Sequence, residues 1–185
     1  MTNENCYVWI CNIICFKIGG NCGIGYETAK ELAIRGANVT IGCRNEERMS
    51  RAIDSIQHDM GVNKNTAGSI NGLLLDLESF ESVRKAADTL HSQLSHIDIC
   101  ILNAGVMRAP LRLSEQIELH QKVNHFSHFL LLNSIMDLID NAPSRPRVIS
   151  VSSRAHLRGN GKGQYWKAFI NEEDYHKPWL DIEFR

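Results

Sequence analysis

No stretch of these residues reads as a membrane span. The apolar run Tyr7–Phe16 is too short where about 20 residues are needed. Its leader carries Glu4 with no basic residue ahead of it, which argues against a secretory signal. An excess of one charge sign is missing too: 20 basic and 21 acidic residues leave a formal net charge of -1. That removes any overall pull toward nucleic acid or an anionic membrane, so an anion site has to be local. The six cysteines, at 6, 11, 15, 22, 43 and 100, lack both the pairing of a disulfide framework and the spacing of a zinc site. No metal site is expected, and the expectation is reduced thiols in an intracellular, cytoplasmic chain. Several of these cysteines lie at apolar, strand-like positions, where a free thiol packs as a small hydrophobe.

What is present is ordinary globular composition, 43% hydrophobic and 22% charged, in 185 residues, enough for one well-cored domain. From residue 10 onward apolar stretches alternate with helical patterns. Ile10–Ile18 reads as a buried strand. The segment that follows places Ile24, Thr28, Ala29, Leu32 and Ala33 on one helical face and stops at Gly36. Asn38–Arg44 is a second strand, followed by a charged helix over about 46–60. A third strand ends near Asp76, and a helix over 80–94 has Val83, Ala86, Ala87 and Leu90 on one face. Ile97–Gly105 holds a fourth strand, 114–139 a long helix, and Arg147–Ser153 a fifth strand. Strands that are almost continuously apolar and alternate with helices predict a parallel sheet covered on both faces. The expected fold is α/β, a doubly wound parallel sheet of Rossmann type with about five strands. Strands one and four should be neighbours at its switch point. Residues 1–153 are expected to form this domain, with 154–185 an irregular tail belonging to it.

One short segment carries chemistry. Gly19, Gly23 and Gly25 stand where the first strand gives way to a helix. Glycine lets the backbone approach a ligand closely, and a helix N-terminus offers unpaired amides to an anion. Asn21 could pin the turn through its side chain. Glycines at such a junction also occur in loops that bind nothing, so context decides. Arg44 ends the second strand, where an acidic residue would suit a ribose 2′-hydroxyl and an arginine a 2′-phosphate. On its own Arg44 reads equally as a surface arginine. Asp76 and Asn103–Gly105 close the third and fourth strands, the expected ligand edge.

In order and spacing, these motifs resemble the short-chain dehydrogenase/reductase family: Gly19-x-x-x-Gly23-Ile24-Gly25, Asp76-Leu77, Asn103-Ala104-Gly105, Asn124 in "VNHFSHF" and Ser152-Ser153 in "RVISVSS". "CRN" and "NHFSHFLL" are most similar to the branch containing retinol dehydrogenases and the WW-domain oxidoreductase. The resemblance covers roughly residues 17–156. It implies an oxidoreductase acting on small alcohol or carbonyl substrates, retinoid or steroid-like ones included, with NADP(H) as cofactor in preference to NAD(H). Cofactor contacts would then come from Gly19, Asn21, Gly23, Ile24, Gly25, Arg44, Asp76, Leu77, Asn103, Ala104 and Gly105, and catalytic groups from Ser153 and Asn124. The family pairs its serine with a tyrosine and a lysine four residues on. After Ser153 only Tyr165 and Tyr175 occur, with Phe169 and Trp179 four residues beyond them. Lys162, Lys167 and Lys177 read as solvated loop charges. Ile18 and Cys22 stand where the family has hydroxyl residues. The resemblance implies that the C-terminal part of the family fold is missing, as in a truncated isoform. The alternative to an enzyme is therefore a catalytically incompetent module that binds a nucleotide or a partner, pairing with another copy or with a full-length relative.

Overall fold

The computed structural model describes residues 13–62, 68–107 and 112–153. In chain order they form β1 (Ile14–Ile18), α1 (Gly23–Ile34), β2 (Asn38–Cys43), α2 (Glu46–Val62), β3 (Ser69–Leu74), α3 (Phe80–Gln93) and β4 (Ile99–Leu102). A two-strand hairpin follows, β5 (Leu113–Ser114) and β6 (Ile117–Glu118), then α4 (Leu119–Gln121) and a π-helical segment, Lys122–Phe126. The described chain closes with α5 (Ser127–Ser134), α6 (Met136–Asp140) and β7 (Arg147–Ser150).

The main sheet has five parallel strands in the order β3-β2-β1-β4-β7. The chain runs outward from β1 through β2 to β3, then returns to lay β4 against β1, so the switch point falls between β1 and β4, as expected. Alternation along β1 sends its side chains to opposite faces. Phe16 and Ile18 join the core beneath α3 and α5 with Leu73, Val83, Leu90, Leu102 and Leu131. Cys15 joins the second core, with Val39, Ile41, Ala29, Ala33, Met49 and Ile56 from β2, α1 and α2. The fully buried Lys17 lies on the Cys15 side of the strand by the same alternation.

Helix α1 ends as its sequence suggests. Gly36, at φ 99°, donates its N–H to Ala33 O (3.0 Å) and Ala37 donates to Leu32 O (3.0 Å), the two bonds of a Schellman cap. Ala29 and Ala33 are buried on its inner face, but Ile24 is 76% exposed, so that position does not share the face.

The expected long helix over 114–139 is corrected. Glu115 and Gln116 take positive φ (49° and 64°) and close a two-residue hairpin. Lys122 holds it, its buried Nζ donating to Ser114 Oγ (3.0 Å) and pairing with Glu115 (2.9 Å). Arg112 ties the same hairpin to Glu78. Downstream, Ile135 (φ -122°, ψ 15°) leaves helical geometry and separates α5 from α6. At the far edge of the sheet β7 is exposed, with Val148 and Ile149 at 42% and 43%, and Val151 just beyond it at 48%.

Candidate functional site

The ends of β1, β2, β3 and β4 open onto a cleft of roughly 300 Å³. Its floor is the turn from β1 into α1. Gly19 N–H donates to Gly42 O (2.8 Å), and Asn103 Nδ2 donates to Gly19 O (3.2 Å), which ties the turn to β2 on one side and β4 on the other. Among the described residues Asn103, and not Asn21, supplies the side chain that braces the turn; Asn21 lines the cleft.

The turn has no room for side chains where it is tightest. A Cβ on Gly25 would overlap the Gly19 carbonyl oxygen and lie 3.0 Å from Asn103 Nδ2. Gly23 is different: it has φ +57° and a Cβ there would meet nothing within 4 Å, so this backbone faces open space. Cys22 occupies the N-cap of α1 without a side-chain cap hydrogen bond, and the first turn holds no acidic residue. The first-turn amides of α1 therefore keep their donor capacity and the helix dipole is not offset by a carboxylate. That is the cradle a phosphate group requires.

Of the residues singled out from the sequence, Gly19, Asn21, Arg44, Asp76, Leu77, Asn103, Ala104 and Gly105 line this one cleft. Gly23, Ile24 and Gly25 form the adjoining first turn of α1. Arg44 is exposed at the end of β2. The Asp76 N–H donates to Ser82 Oγ (2.9 Å), and its Oδ1 accepts from Glu78 N–H (3.0 Å). The buried Ser127 hydroxyl donates to Leu77 O (2.6 Å), fixing that loop from α5.

Asn124 works from outside the cleft. It sits in the π-helical segment, a wider turn often found at functional sites. Its Oδ1 accepts from Val106 N–H (2.7 Å) and its Nδ2 donates to Val106 O (3.0 Å), a two-point clamp on the loop after β4. Ser153 is exposed three residues beyond β7, at the same end of the sheet, and is not part of the cleft wall. Tyr165 and Tyr175 lie outside the described residues. One Tyr-x-x-x-Lys spacing does occur, upstream at Tyr26 and Lys30. There the Tyr26 hydroxyl donates to Ser55 Oγ (2.9 Å) while Lys30 pairs with Glu27 (3.0 Å) and reaches Asp59 (3.8 Å). Its contacts fasten α1 to α2, and neither residue lines the cleft.

The sequence reading missed Arg48, Asn45, Cys43 and Val123, all of which line the cleft. Burial pushes the Cys43 thiol up, partly offset by hydrogen bonds from the Gly20 and Asn21 amides. Beneath the turn, burial pulls the Lys17 ammonium down to about 8, and its Nζ has no hydrogen-bond partner among the described residues. Burial likewise lowers His128 to about 4, with His125 as a second, like-charged influence.

Residues 14–168 match the family described as short chain dehydrogenase. Human retinol dehydrogenase 13 is 40% identical over 144 residues, covering 77% of this chain and 41% of that protein. The WW domain-containing oxidoreductase of Drosophila melanogaster is 36% identical over 143 residues, covering 77% and 34%. This chain thus spans less than half the length of these relatives. Among solved structures, a protein of Escherichia coli CFT073 described as a short chain dehydrogenase and complexed with NADPH superposes with a TM-score of 0.68. That likeness covers 88% of this chain and 68% of the other at 22% identity, and it bears on the fold alone.

Proposed function

Because this chain belongs to the short-chain dehydrogenase family, we propose that its cleft holds NADP(H) and serves hydride exchange with a small alcohol or carbonyl substrate of the kind retinol dehydrogenases use. The observation that carries this reading is the turn at Gly19–Gly25. It brings an uncapped helix N-terminus and a backbone without Cβ atoms to a cleft whose far rim is Arg44. In this reading the α1 amides hold the pyrophosphate, Asp76 and Leu77 border the adenine, and Arg44 meets the ribose 2′-phosphate. Asn103–Gly105 would flank the nicotinamide side, held in place by the Asn124 clamp on Val106. Ser153 would orient the substrate oxygen. The bound dinucleotide would supply the hydride; this chain's residues bind it, orient it and exclude water around it. Residues 1–153 act as one nucleotide-binding domain, with 154–185 belonging to it, in an intracellular setting suited to the free thiols of Cys15, Cys22, Cys43 and Cys100.

A second reading is favoured by one observation: after Ser153 no tyrosine has a lysine four residues on. An ordinary tyrosine, with a pKa near 10, stays protonated at neutral pH and is poorly matched to reversible proton transfer. The chain would then be a nucleotide-binding module that works with a second copy or a longer relative. A turnover assay on the purified chain with NADPH and all-trans-retinal separates the two. Turnover abolished by Ser153→Ala supports the enzyme. Saturable NADPH binding without turnover supports the module.

A further inference from the structure

Two cysteines line the cleft, and hydride exchange uses neither. Cys22 is exposed at the N-cap of α1, where its side chain makes no cap hydrogen bond. It lines the cleft and also a shallower hollow of roughly 430 Å³ between α1 and α2, so solvent reaches it from two sides. Cys43 ends β2 and lines the same cleft. The turn that leads to Cys22 is anchored on the strand end that carries Cys43. Ile18 stands in register with Gly42, Gly19 N–H donates to Gly42 O (2.8 Å), and the Gly20 and Asn21 amides donate to the Cys43 sulfur. Cys22 is the next residue along. Cys15 and Cys100, in contrast, are fully buried within the sheet.

The surroundings of both sulfurs suit thiolate chemistry, since the thiolate is the reacting form of a cysteine. Negative charge on Cys22 lies at a helix N-terminus with no acidic residue in the first turn, a favourable place for it. Burial pushes the Cys43 thiol up, but the Gly20 and Asn21 amides and the Lys17 ammonium favour its anion. That ammonium is buried under the turn and has no hydrogen-bond partner among the described residues. Charge on Cys22 also opposes charge on Cys43, so the two thiols are within electrostatic reach of each other.

We propose that Cys22 and Cys43 form a reversible thiol–disulfide pair, with Cys22 the site a hydroperoxide oxidises and Cys43 the thiol that resolves it. With hydrogen peroxide, the Cys22 thiolate attacks one oxygen and breaks the O–O bond. Cys22 becomes a sulfenic acid and hydroxide leaves, taking a proton to become water. The Cys43 thiolate then attacks the sulfenic sulfur, the S–S bond forms, and a second hydroxide leaves as water. Two thiols lose two hydrogens and two electrons, and the peroxide is reduced to two waters. Cys22, which no cap bond holds, is free to turn toward β2 for this step. The resulting bridge ties the head of α1 to the end of β2 across the cleft and takes the first-turn amides away from a phosphate. That last consequence rests on the NADP(H) reading; the bridge itself does not.

The test treats the reduced full chain with hydrogen peroxide, blocks the remaining thiols by alkylation under denaturing conditions, and maps tryptic peptides without reduction. Cys22 falls in the peptide spanning 18–30 and Cys43 in that spanning 36–44, while Cys6, Cys11 and Cys15 share 1–17. Peptides 18–30 and 36–44 should be found joined, and dithiothreitol should separate them. Cys43→Ala, checked for folding by circular dichroism, should leave Cys22 as a sulfenic acid that dimedone traps. Calorimetric titration should show NADPH binding to the oxidised chain roughly tenfold more weakly than to the reduced one, with recovery on reduction. Cys22 joined to any other cysteine, oxidised to a sulfinic acid without a bridge, or left unoxidised would overturn the pair. A bridge that forms while NADPH binds equally in both states would overturn its effect on the cleft. Bridge formation in a chain that binds no NADPH even when reduced would uphold the pair and refute the NADP(H) reading instead.

Discussion

Replacing Lys17 with methionine should make the protein more stable at neutral pH, although it removes a charge from beside the proposed site. Lys17 lies at the middle of the sheet, flanked in register by Ile41 of β2 and Ile101 of β4, fully buried and, among the described residues, without a hydrogen-bond partner for its Nζ. Burial lowers its pKa from 10.5 to about 8. At 1.36 kcal/mol for each tenfold change in proton affinity, the buried ammonium costs about 3 kcal/mol of folding free energy. The sign follows from proton counts. Below pH 8 both states hold the proton and the cost is present in full. Between pH 8 and 10.5 the unfolded chain holds more protons than the folded one, so the Lys17 contribution to stability rises with pH. Above 10.5 the cost is gone. Cys15 and Cys100, both pushed up to about 12 by burial, act in the opposite sense, and comparing two proteins cancels most of their effect. Urea unfolding of the wild type and Lys17→Met at pH 7 and pH 10 is the assay. The variant should lead by about 3 kcal/mol at pH 7, and most of that lead should vanish at pH 10. A lead that is absent at pH 7, or equal at both values, would refute the reasoning.

Two further substitutions probe the turn and its support. Gly25→Ala should cost about 3 kcal/mol or more in thermal unfolding, because its Cβ would overlap the Gly19 carbonyl, whereas Gly23→Ala should cost only about 1 kcal/mol for its positive φ. Similar costs at the two positions would mean that the turn is not packed as described. Asn124→Ala should lose about 1 kcal/mol and speed hydrogen exchange at the Val106 amide. Unchanged exchange at Val106 in Asn124→Ala would show that the clamp does not protect that amide.

The sheet order was legible because β1 to β4 are apolar runs separated by helical patterns, and a parallel sheet of that kind has few available topologies. The cleft was legible for the same reason: Arg44, Asp76 and Asn103 each close a strand. Four features were not. The Glu115–Gln116 turn has no glycine or asparagine to announce it, and it is held by Lys122 and Arg112 from elsewhere in the chain. The π-helical segment leaves no periodic trace, because one wider turn shifts the helical pattern too briefly to register. Lys17 sits in what reads as an apolar strand, and nothing local signals that its ammonium stays buried. Arg48 went unnoticed since a charged helix reads as a solvated face.

Hydrogen exchange on the 185-residue chain with and without NADPH tests the central claim most directly. If the turn at the head of α1 is a phosphate cradle, NADPH should slow exchange at the Gly23, Ile24 and Gly25 amides, while the exposed β7 edge stays unchanged. Saturating NADPH that leaves those three amides exchanging at their original rate would contradict it.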